Sequence, residues 1–291
     1  MAMTINTNNQ SLNAQRNAGA TQSALSTSMQ RLSSGLRVNS AKDDSAGLAI
    51  AERMNSQVKG MNVAVRNAND GISMAQTAEG ALGKVGDSLQ RMRELAVQSA
   101  NGTNTDADKA NLQAEFQALN DEITRVTGAT SFNGNKLLDG TTASFAFQVG
   151  ANTDTTDKIT VNSVDLSSVL TQLATFAIGQ DSTVANGAVT LADAAAGAPD
   201  ADKAIKGIDD AIAVVTTGRA SMGATQNRFE SVISNLQVSS ENLAASKGRI
   251  MDADFATETM NLSRSQILQQ AGTAMISQAN QLPQQVLSLL R

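Results

Sequence analysis

The chain contains no cysteine and no histidine among its 291 residues. Their absence excludes disulfides, thiol nucleophiles, imidazole acid–base catalysis and zinc sites built on either side chain. Tryptophan and tyrosine are also missing, and aromatic residues make up 2% of a sequence that is 41% hydrophobic. Compact enzyme cores normally bury more aromatic area. The composition therefore disfavours an enzyme and favours aliphatic packing between closely spaced helices.

Charge and hydropathy exclude further classes of protein. The formal net charge is −5, so the chain lacks the basic surface on which nucleic-acid binding depends. No stretch approaches the roughly 18 consecutive apolar residues of a membrane span. The first residues also lack the basic and apolar segments of a cleaved signal peptide. If the chain is exported, we expect a route without a cleaved signal.

Sequence motifs for catalysis, metal binding or nucleotide binding are weak in this chain. Neighbouring carboxylates occur at Asp43–Asp44 and at Asp252 with Asp254, but carboxylates are common at helix starts, where they favour the positive end of the dipole. The glycine-rich segment around Lys84 lacks the spacing of a phosphate-binding loop. We therefore predict no catalytic, cofactor or metal site.

The strongest positive signal is a heptad repeat. Its apolar positions are Ile208, Val215, Met222, Phe229, Leu236, Leu243 and Ile250. Such a repeat predicts a long helix buried along one side against other helices. A second pattern runs over residues 54–96 after a possible capping box in Ser40-x-x-Asp43, and a third over 112–126 after Thr105-x-x-Asp108.

The middle of the chain has a different pattern. Asn133-Gly134 and Asp139-Gly140 are turn signals, and residues 144–149 and 158–161 read as short strands. Residues 141–199 are rich in Ala, Thr, Gly and Asp. They predict a small, solvated, partly β insertion.

Together these patterns predict a mainly α fold. We expect a long antiparallel helical hairpin or coiled coil, with the N- and C-terminal helices paired and a small β-containing outer insertion. The predicted divisions are a terminal coiled coil (1–40 with 253–291), a long-helix shell (41–140 with 200–252) and the insertion (141–199).

Both terminal segments carry apolar side chains at helical spacing but almost no charge. Residues 1–30 contain one charged side chain, Arg16, and residues 265–290 contain none. The candidate assembly residues are Ile5, Leu12, Leu25, Met29, Leu32, Leu36, Leu268, Met275, Leu282, Val286 and Leu289. A disordered polar tail is the alternative for the free chain. The two stripes favour segments that contact each other and become ordered when many copies pack together.

Four segments closely resemble bacterial flagellin. They are LSSGLRVNSAKDDSAGLAIAERM (32–54), QRMRELAVQSANGT (90–103), SFNGNKLLDG (131–140) and the segment from RIMDADFATETMNLSRSQ onward (249–291). The resemblance implies export, largely unfolded, through the flagellar secretion channel and polymerisation beneath a cap into an extracellular filament. The terminal helices would form its inner tube, the long helices the next shell, and the insertion would face solvent.

The resemblance also implies partners. They are further copies of the chain, an export chaperone, and the filament cap and hook-junction proteins. By motif position, Arg91, Leu95 and Glu115 correspond to the segment read by the vertebrate Toll-like receptor for flagellin. Arg91 could equally be a surface charge that pairs with a neighbouring subunit, and the two roles are compatible. The end of the chain resembles the segment covered by the chaperone and detected by cytosolic innate sensors: Leu287, Leu289 and Leu290.

Other function classes remain open at this point. A hook–filament junction protein or another coiled-coil surface protein could share the terminal helices, but such relatives are expected to diverge at RELAVQSANGT, which here follows flagellin closely. An enzyme on a helical scaffold is disfavoured by composition. A metalloprotease in the insertion is excluded because its motif needs histidine.

Overall fold

The computed structural model describes residues 8–167, 169 and 200–289, with side-chain surroundings for all of these except 200, 201 and 282–289. This described part contains five α-helices, α1 (Asn9–Ser34), α2 (Ser45–Ser99), α3 (Asp106–Ala129), α4 (Asp200–Met251) and α5 (Phe255–Leu289). Its four strands are β1 (Ser131–Phe132), β2 (Asn135–Lys136), β3 (Ser144–Gln148) and β4 (Lys158–Asn162). The predicted mainly α fold with a small β region is confirmed.

The chain forms two compact units. We call Met1–Val58 with Glu241–Arg291 the terminal unit and Lys59–Ser240 the middle unit. The divisions fall inside α2 and α4, whereas the predicted limits near residues 40 and 252 lie at the links between helices. A long continuous helix hides such a division from sequence patterns, because its periodicity does not change there.

Helices α2, α3 and α4 build the core of the middle unit. The first four heptad positions of α4, from Ile208 to Phe229, are at most 2% exposed. Leu89 of α2 and Phe116 of α3 lie in the same core and are fully buried. The three predicted apolar seams are therefore confirmed in this unit, although Leu236 further along α4 is only half-buried.

Polar contacts fix the direction of α2 against α4 within the middle unit. Arg93 Nε donates to Asp209 Oδ1 at 2.6 Å, and Gln226 Nε2 donates to Glu79 Oε2 at 2.9 Å. Later residues of α2 thus meet earlier residues of α4. The two helices are antiparallel here, as the hairpin prediction requires.

The β3–β4 hairpin contributes one of its faces to the same core. Phe147 pairs with Ile159 across the antiparallel ladder, and Ile159 and Val161 are each 2% exposed. The ring of Phe147 packs edge-on against Phe229 of α4, with ring centroids 5.5 Å apart. Both strands were predicted, but the description of the region as solvated is wrong for this face, because alternate residues of β4 point inward. The remainder of the predicted insertion, residue 168 and residues 170–199, lies outside the described residues.

Turns and caps follow local chemistry. Asn133 and Gly134 join β1 to β2 with φ of 48° and 82°, the left-handed conformation that Asn and Gly tolerate in a two-residue hairpin turn. The capping box predicted at Thr105 and Asp108 is present at the start of α3. Helix α1 ends at Gly35, with φ of 70°, whose N–H donates to Arg31 O at 2.8 Å.

The second predicted capping box is wrong. The Asp43 carboxylate accepts from the backbone and hydroxyl of Ser40 and from Asn39 N, so it stabilises the link before α2. The neighbouring Asp44 performs the capping, because its Oδ1 accepts from Gly47 N at 2.8 Å. The Asp43 carboxylate reaches back to Ser40 N as a capping box requires, but α2 begins only at Ser45, so Ser40 is not its N-cap.

Removing the Phe229 ring should destabilise the middle unit strongly. Phe229 is 0% exposed, and truncating such a side chain to alanine costs about 3–5 kcal/mol through lost burial and the cavity left behind. Urea unfolding of the full chain, followed by far-ultraviolet circular dichroism, measures the change. Val238→Ala on the same helix is the control, since Val238 is 56% exposed and should shift the free energy of unfolding by less than about 0.5 kcal/mol. Equal effects would contradict the assigned core.

Candidate functional site

Helices α1 and α5 pair along their length within the terminal unit, which confirms the predicted pairing of the N- and C-terminal helices. Ser11 Oγ donates to Asn280 Oδ1 at 2.8 Å, and at the other end Arg31 Nη1 lies 3.9 Å from Glu258 Oε2. Between these points Gln269 Nε2 donates to Gln22 Oε1. One antiparallel register therefore holds from end to end of the described pair.

The buried face of this pair is small and polar. We call it the interhelix seam, formed on α1 by Ser11, Ala14, Ala18, Thr21, Leu25 and Ser28, and on α5 by Glu258, Leu262, Ser265, Gln269, Gly272, Ile276 and Ala279. The positions alternate steps of three and four, the spacing of a coiled-coil seam. A Cβ added to Gly272 would lie 3.7 Å from Ala18 Cβ. Small residues at such positions allow the two backbones to approach closely.

The large apolar side chains of α5 lie outside the seam. We call Met260, Ile267, Leu268, Ala271 and Met275 the outer stripe. Met260, Ile267 and Met275 are each 64–66% exposed, and Leu268 is 47% exposed. A surface groove of about 490 Å³ runs along Met260, Ile267 and Leu268. A second groove of about 470 Å³ follows the junction of the two helices beside Leu268 and Met275.

The prediction that the two apolar stripes contact each other therefore does not hold for four of their described members. Leu12 and Met29 of α1 are 50% and 56% exposed, like Leu268 and Met275 of α5. Of the predicted α1 set, Leu25 is buried in the seam. The physical reason is that the small residues bring the helices together, which leaves the bulky ones on the flanks.

The other predicted assembly and sensor residues are either half-buried or outside the described part of the chain. Leu32 and Leu36 are half-buried. Ile5 and Leu290 lie outside the described residues, as do the side chains of Leu282, Val286, Leu287 and Leu289. Their predicted roles in assembly or sensor recognition stay predictions.

A charged pair at the end of the seam was not predicted. The Glu258 side chain is 9% exposed and that of Arg31 is 31% exposed, and Arg31 Nε has no hydrogen-bond partner among the described groups. Charged side chains on a helix are usually exposed to solvent, so the burial of Glu258 could not be expected from its residue type. A largely buried carboxylate is costly unless it is paired, and the observed alignment of α1 with α5 places Arg31 beside Glu258.

The links into the terminal helices are fixed to each other. Arg37 N donates to Met251 O at 2.6 Å, and Ala253 N donates to Gly35 O at 2.9 Å. These bonds join the segment after α1 to the segment before α5 and include a β-bridge between Leu36 and Asp252.

Asp254 caps α5, and this cap should be sensitive to acid. Its carboxylate accepts from the Thr257 hydroxyl at 2.8 Å and from Ala256 N at 3.0 Å, and the bonds from Thr257, followed by that from Ala256, lower the pKa of Asp254. A lowered folded-state pKa contributes stability above the unfolded pKa, and this stability is lost as the pH falls through the folded value. Asp254→Asn should therefore weaken protection of α5 amides at pH 7 but not at about pH 2, as measured by hydrogen exchange. If Asp254→Asn lowered amide protection equally at both pH values, the assignment of the ionised Asp254 carboxylate as the cap of α5 would be contradicted.

A second cluster, on α2 and α3, contains the predicted receptor residues. Arg91 donates through Nε and Nη2 to Glu115 Oε1 at 2.9 and 2.8 Å, and through Nη1 to Glu94 Oε2 at 2.9 Å. Bonding to Glu115, and then to Glu94, raises the pKa of Arg91. Arg91 and Glu115 are about half-exposed, but Leu95 is 0% exposed. The folded unit therefore presents Arg91 and Glu115 together, while Leu95 packs in the core beneath them.

The described ranges contain no further candidate for a metal site or a membrane span. Acidic side chains there form no group of three or more that could hold a metal ion. No described helix is both long enough and apolar enough to cross a membrane.

Comparisons with known proteins identify the family. Residues 5–143 match the bacterial flagellin N-terminal helical region, and residues 205–290 match the C-terminal helical region. A flagellin from Halalkalibacterium halodurans is 47% identical over 99% of this chain and 100% of its own length. The chain belongs to the bacterial flagellin family. Flagellin D of Vibrio anguillarum is 39% identical over the whole of both chains, in an alignment of 376 positions. That flagellin is therefore longer than this chain.

One solved structure supports the fold independently. A putative flagellar hook-associated protein from Vibrio parahaemolyticus superposes with a TM-score of 0.57, covering 72% of this chain and all of that one. Its sequence identity is 17%, so the likeness concerns the fold alone. It gives no reason to prefer a hook-associated role over that of a flagellin.

Proposed function

We propose that the chain is the structural subunit of a bacterial flagellar filament, which many copies build by helical polymerisation outside the cell. The observation that carries the proposal is the full-length identity of 47% to a flagellin, with both flagellin helical regions matched. The protein is a structural component, and we assign it no catalytic site.

The terminal helix pair provides a means of assembly. Its internal contacts use the interhelix seam, which leaves the outer stripe of α5 uncovered. Burying one large apolar side chain contributes about 1.5–3 kcal/mol, and four members of the stripe are of this size. We infer that neighbouring copies cover the stripe, so that the pairs form the inner tube. Residues 41–140 with 200–252 would surround that tube, and the insertion would face solvent.

The remaining partners follow from the same surface. An uncovered apolar stripe promotes premature association, so we infer that a chaperone covers the last helix before export through the flagellar channel without a cleaved signal. The cap and the hook-junction proteins would contact the same terminal helices at the filament ends. For the vertebrate Toll-like receptor, we propose Arg91 and Glu115 as the contact, with Leu95 supporting the helix that presents them.

Seeded polymerisation tests the proposed function. Short filament fragments are added to the purified full-length chain, and the products are sedimented and viewed by electron microscopy. We expect long filaments together with a rise in helicity by far-ultraviolet circular dichroism. A protein that stays soluble, with protease-resistant terminal helices and no filaments, would instead support the junction-protein alternative.

A further inference from the structure

Three methionines of the terminal unit and three of the middle unit differ sharply in exposure, whereas Met54, Met61 and Met251 are half-buried. In the terminal unit, Met29, Met260 and Met275 are 56%, 65% and 64% exposed. In the middle unit, Met74, Met92 and Met222 are at most 3% exposed and belong to the core. A single chain thus contains accessible and protected thioethers that can be compared in one experiment.

The exposed methionines lie on the flanks of the terminal pair and not in its seam. Met260 lines the groove that includes Ile267 and Leu268, and Met275 lines the groove along the junction with α1. Met29 lies on α1 near the Arg31–Glu258 contact, hence at the same level of the pair as Met260. Methionine suits a surface that repacks against neighbours, because its side chain is unbranched and flexible.

We propose that Met29, Met260 and Met275 are oxidation sites, and that their conversion to methionine sulfoxide stops the chain from assembling. The oxidant is a peroxide such as hydrogen peroxide. A sulfur lone pair attacks one peroxide oxygen, an S–O bond forms and the O–O bond breaks. The displaced hydroxide leaves as water after proton transfer. Sulfur loses two electrons, and the peroxide gains them.

The effect on assembly follows from where the sulfoxide would lie. In the free chain each oxidised side chain remains in solvent, so the interhelix seam and the middle-unit core are unchanged. On assembly the polar S–O group would be buried against apolar neighbours, which is unfavourable unless a hydrogen bond forms. The inference rests on the proposed function, because it needs an assembly that covers these flanks.

The test compares the full-length chain before and after hydrogen peroxide treatment. Peptide mass mapping should find sulfoxide at Met29, Met260 and Met275 well before Met74, Met92 or Met222. The critical concentration for seeded polymerisation should rise by about tenfold or more. Treatment with methionine sulfoxide reductases should restore it, since they reduce the sulfoxide back to the thioether. Filaments oxidised after assembly should show less sulfoxide at the three sites.

A variant with Met29→Leu, Met260→Leu and Met275→Leu is the matched control. Leucine has nearly the same volume but cannot be oxidised, and the variant keeps every other methionine. We expect it to polymerise equally well with and without peroxide. If the substitutions themselves weaken assembly, reversal by the reductases still tests the proposal in the unaltered chain.

The outcomes separate this inference from the function on which it rests. If sulfoxide is found at the three sites while polymerisation is unchanged, the oxidation proposal is overturned and the filament function stands. Equal sulfoxide at the buried methionines, or equal inactivation of the leucine variant, also overturns it. Failure of the untreated chain to polymerise would count against the filament function itself.

Discussion

A chain truncated after Leu262 should form no filaments at concentrations at which the full-length chain polymerises. The truncation removes most of α5 and with it the greater part of the outer stripe. It also removes seam positions from Ser265 to Ala279, so that Ala18 and Leu25 of α1 lose their partners. The truncation therefore removes both the packing of α1 against α5 and the apolar surface that we assign to contacts with neighbouring copies.

The middle unit should survive this truncation. Its core consists of residues within Lys59–Ser240 and includes none from α5. Urea unfolding by circular dichroism should therefore still show a cooperative transition, while sedimentation and electron microscopy show no filaments. Asp154→Lys in the full-length chain is the control, because Asp154 is exposed and its side chain makes no capping hydrogen bond. Filaments from the truncated chain would remove the basis for assigning assembly to α5.

Single charges on the outer stripe should block assembly without unfolding the chain. Leu268→Asp and Met275→Asp alter side chains that are 47% and 64% exposed, so the helicity of the free chain should not change. Each buried apolar side chain contributes about 1.5–3 kcal/mol, and a buried unpaired charge adds a further penalty. We expect the critical concentration to rise by about a hundredfold for each variant.

The same charge at polar positions of α5 provides the control. Gln266 and Gln270 are exposed and lie on the turns that carry Leu268. Gln266→Asp and Gln270→Asp should raise the critical concentration much less than Leu268→Asp, as measured by sedimentation of the unassembled fraction. Equal losses at glutamine and leucine positions would show that overall charge on α5, and not the outer stripe, controls assembly.

Sequence patterns predicted the fold well where one signal was long and unambiguous. The α4 heptad from Ile208 to Phe229 could be read directly, because a repeat sustained over several turns has few alternative explanations. The capping box at Thr105 and Asp108 was predicted correctly because all of its bonds lie within one short stretch of sequence. The box at Ser40 and Asp43 shows the limit, since the pattern does not reveal at which residue the helix begins.

The candidate site was harder to predict. Hydrophobic periodicity pointed to large apolar side chains, yet the seam is formed mainly by small residues such as Ala18 and Gly272. A signal was present in the three–four spacing of these residues, but it is weak because alanine and serine occur in any helix. The Arg31–Glu258 pair could not be predicted because it depends on a register between distant segments. The burial of Leu95 likewise depends on tertiary packing that its motif does not encode.

Electron cryomicroscopy of filaments grown from the full-length chain tests the central claim most directly. The account predicts that the α1/α5 pairs line the inside of the filament, with Leu268 and Met275 packed against neighbouring copies and the interhelix seam unchanged. A filament in which these side chains face solvent, or in which α1 and α5 separate to pair with other copies, would contradict it.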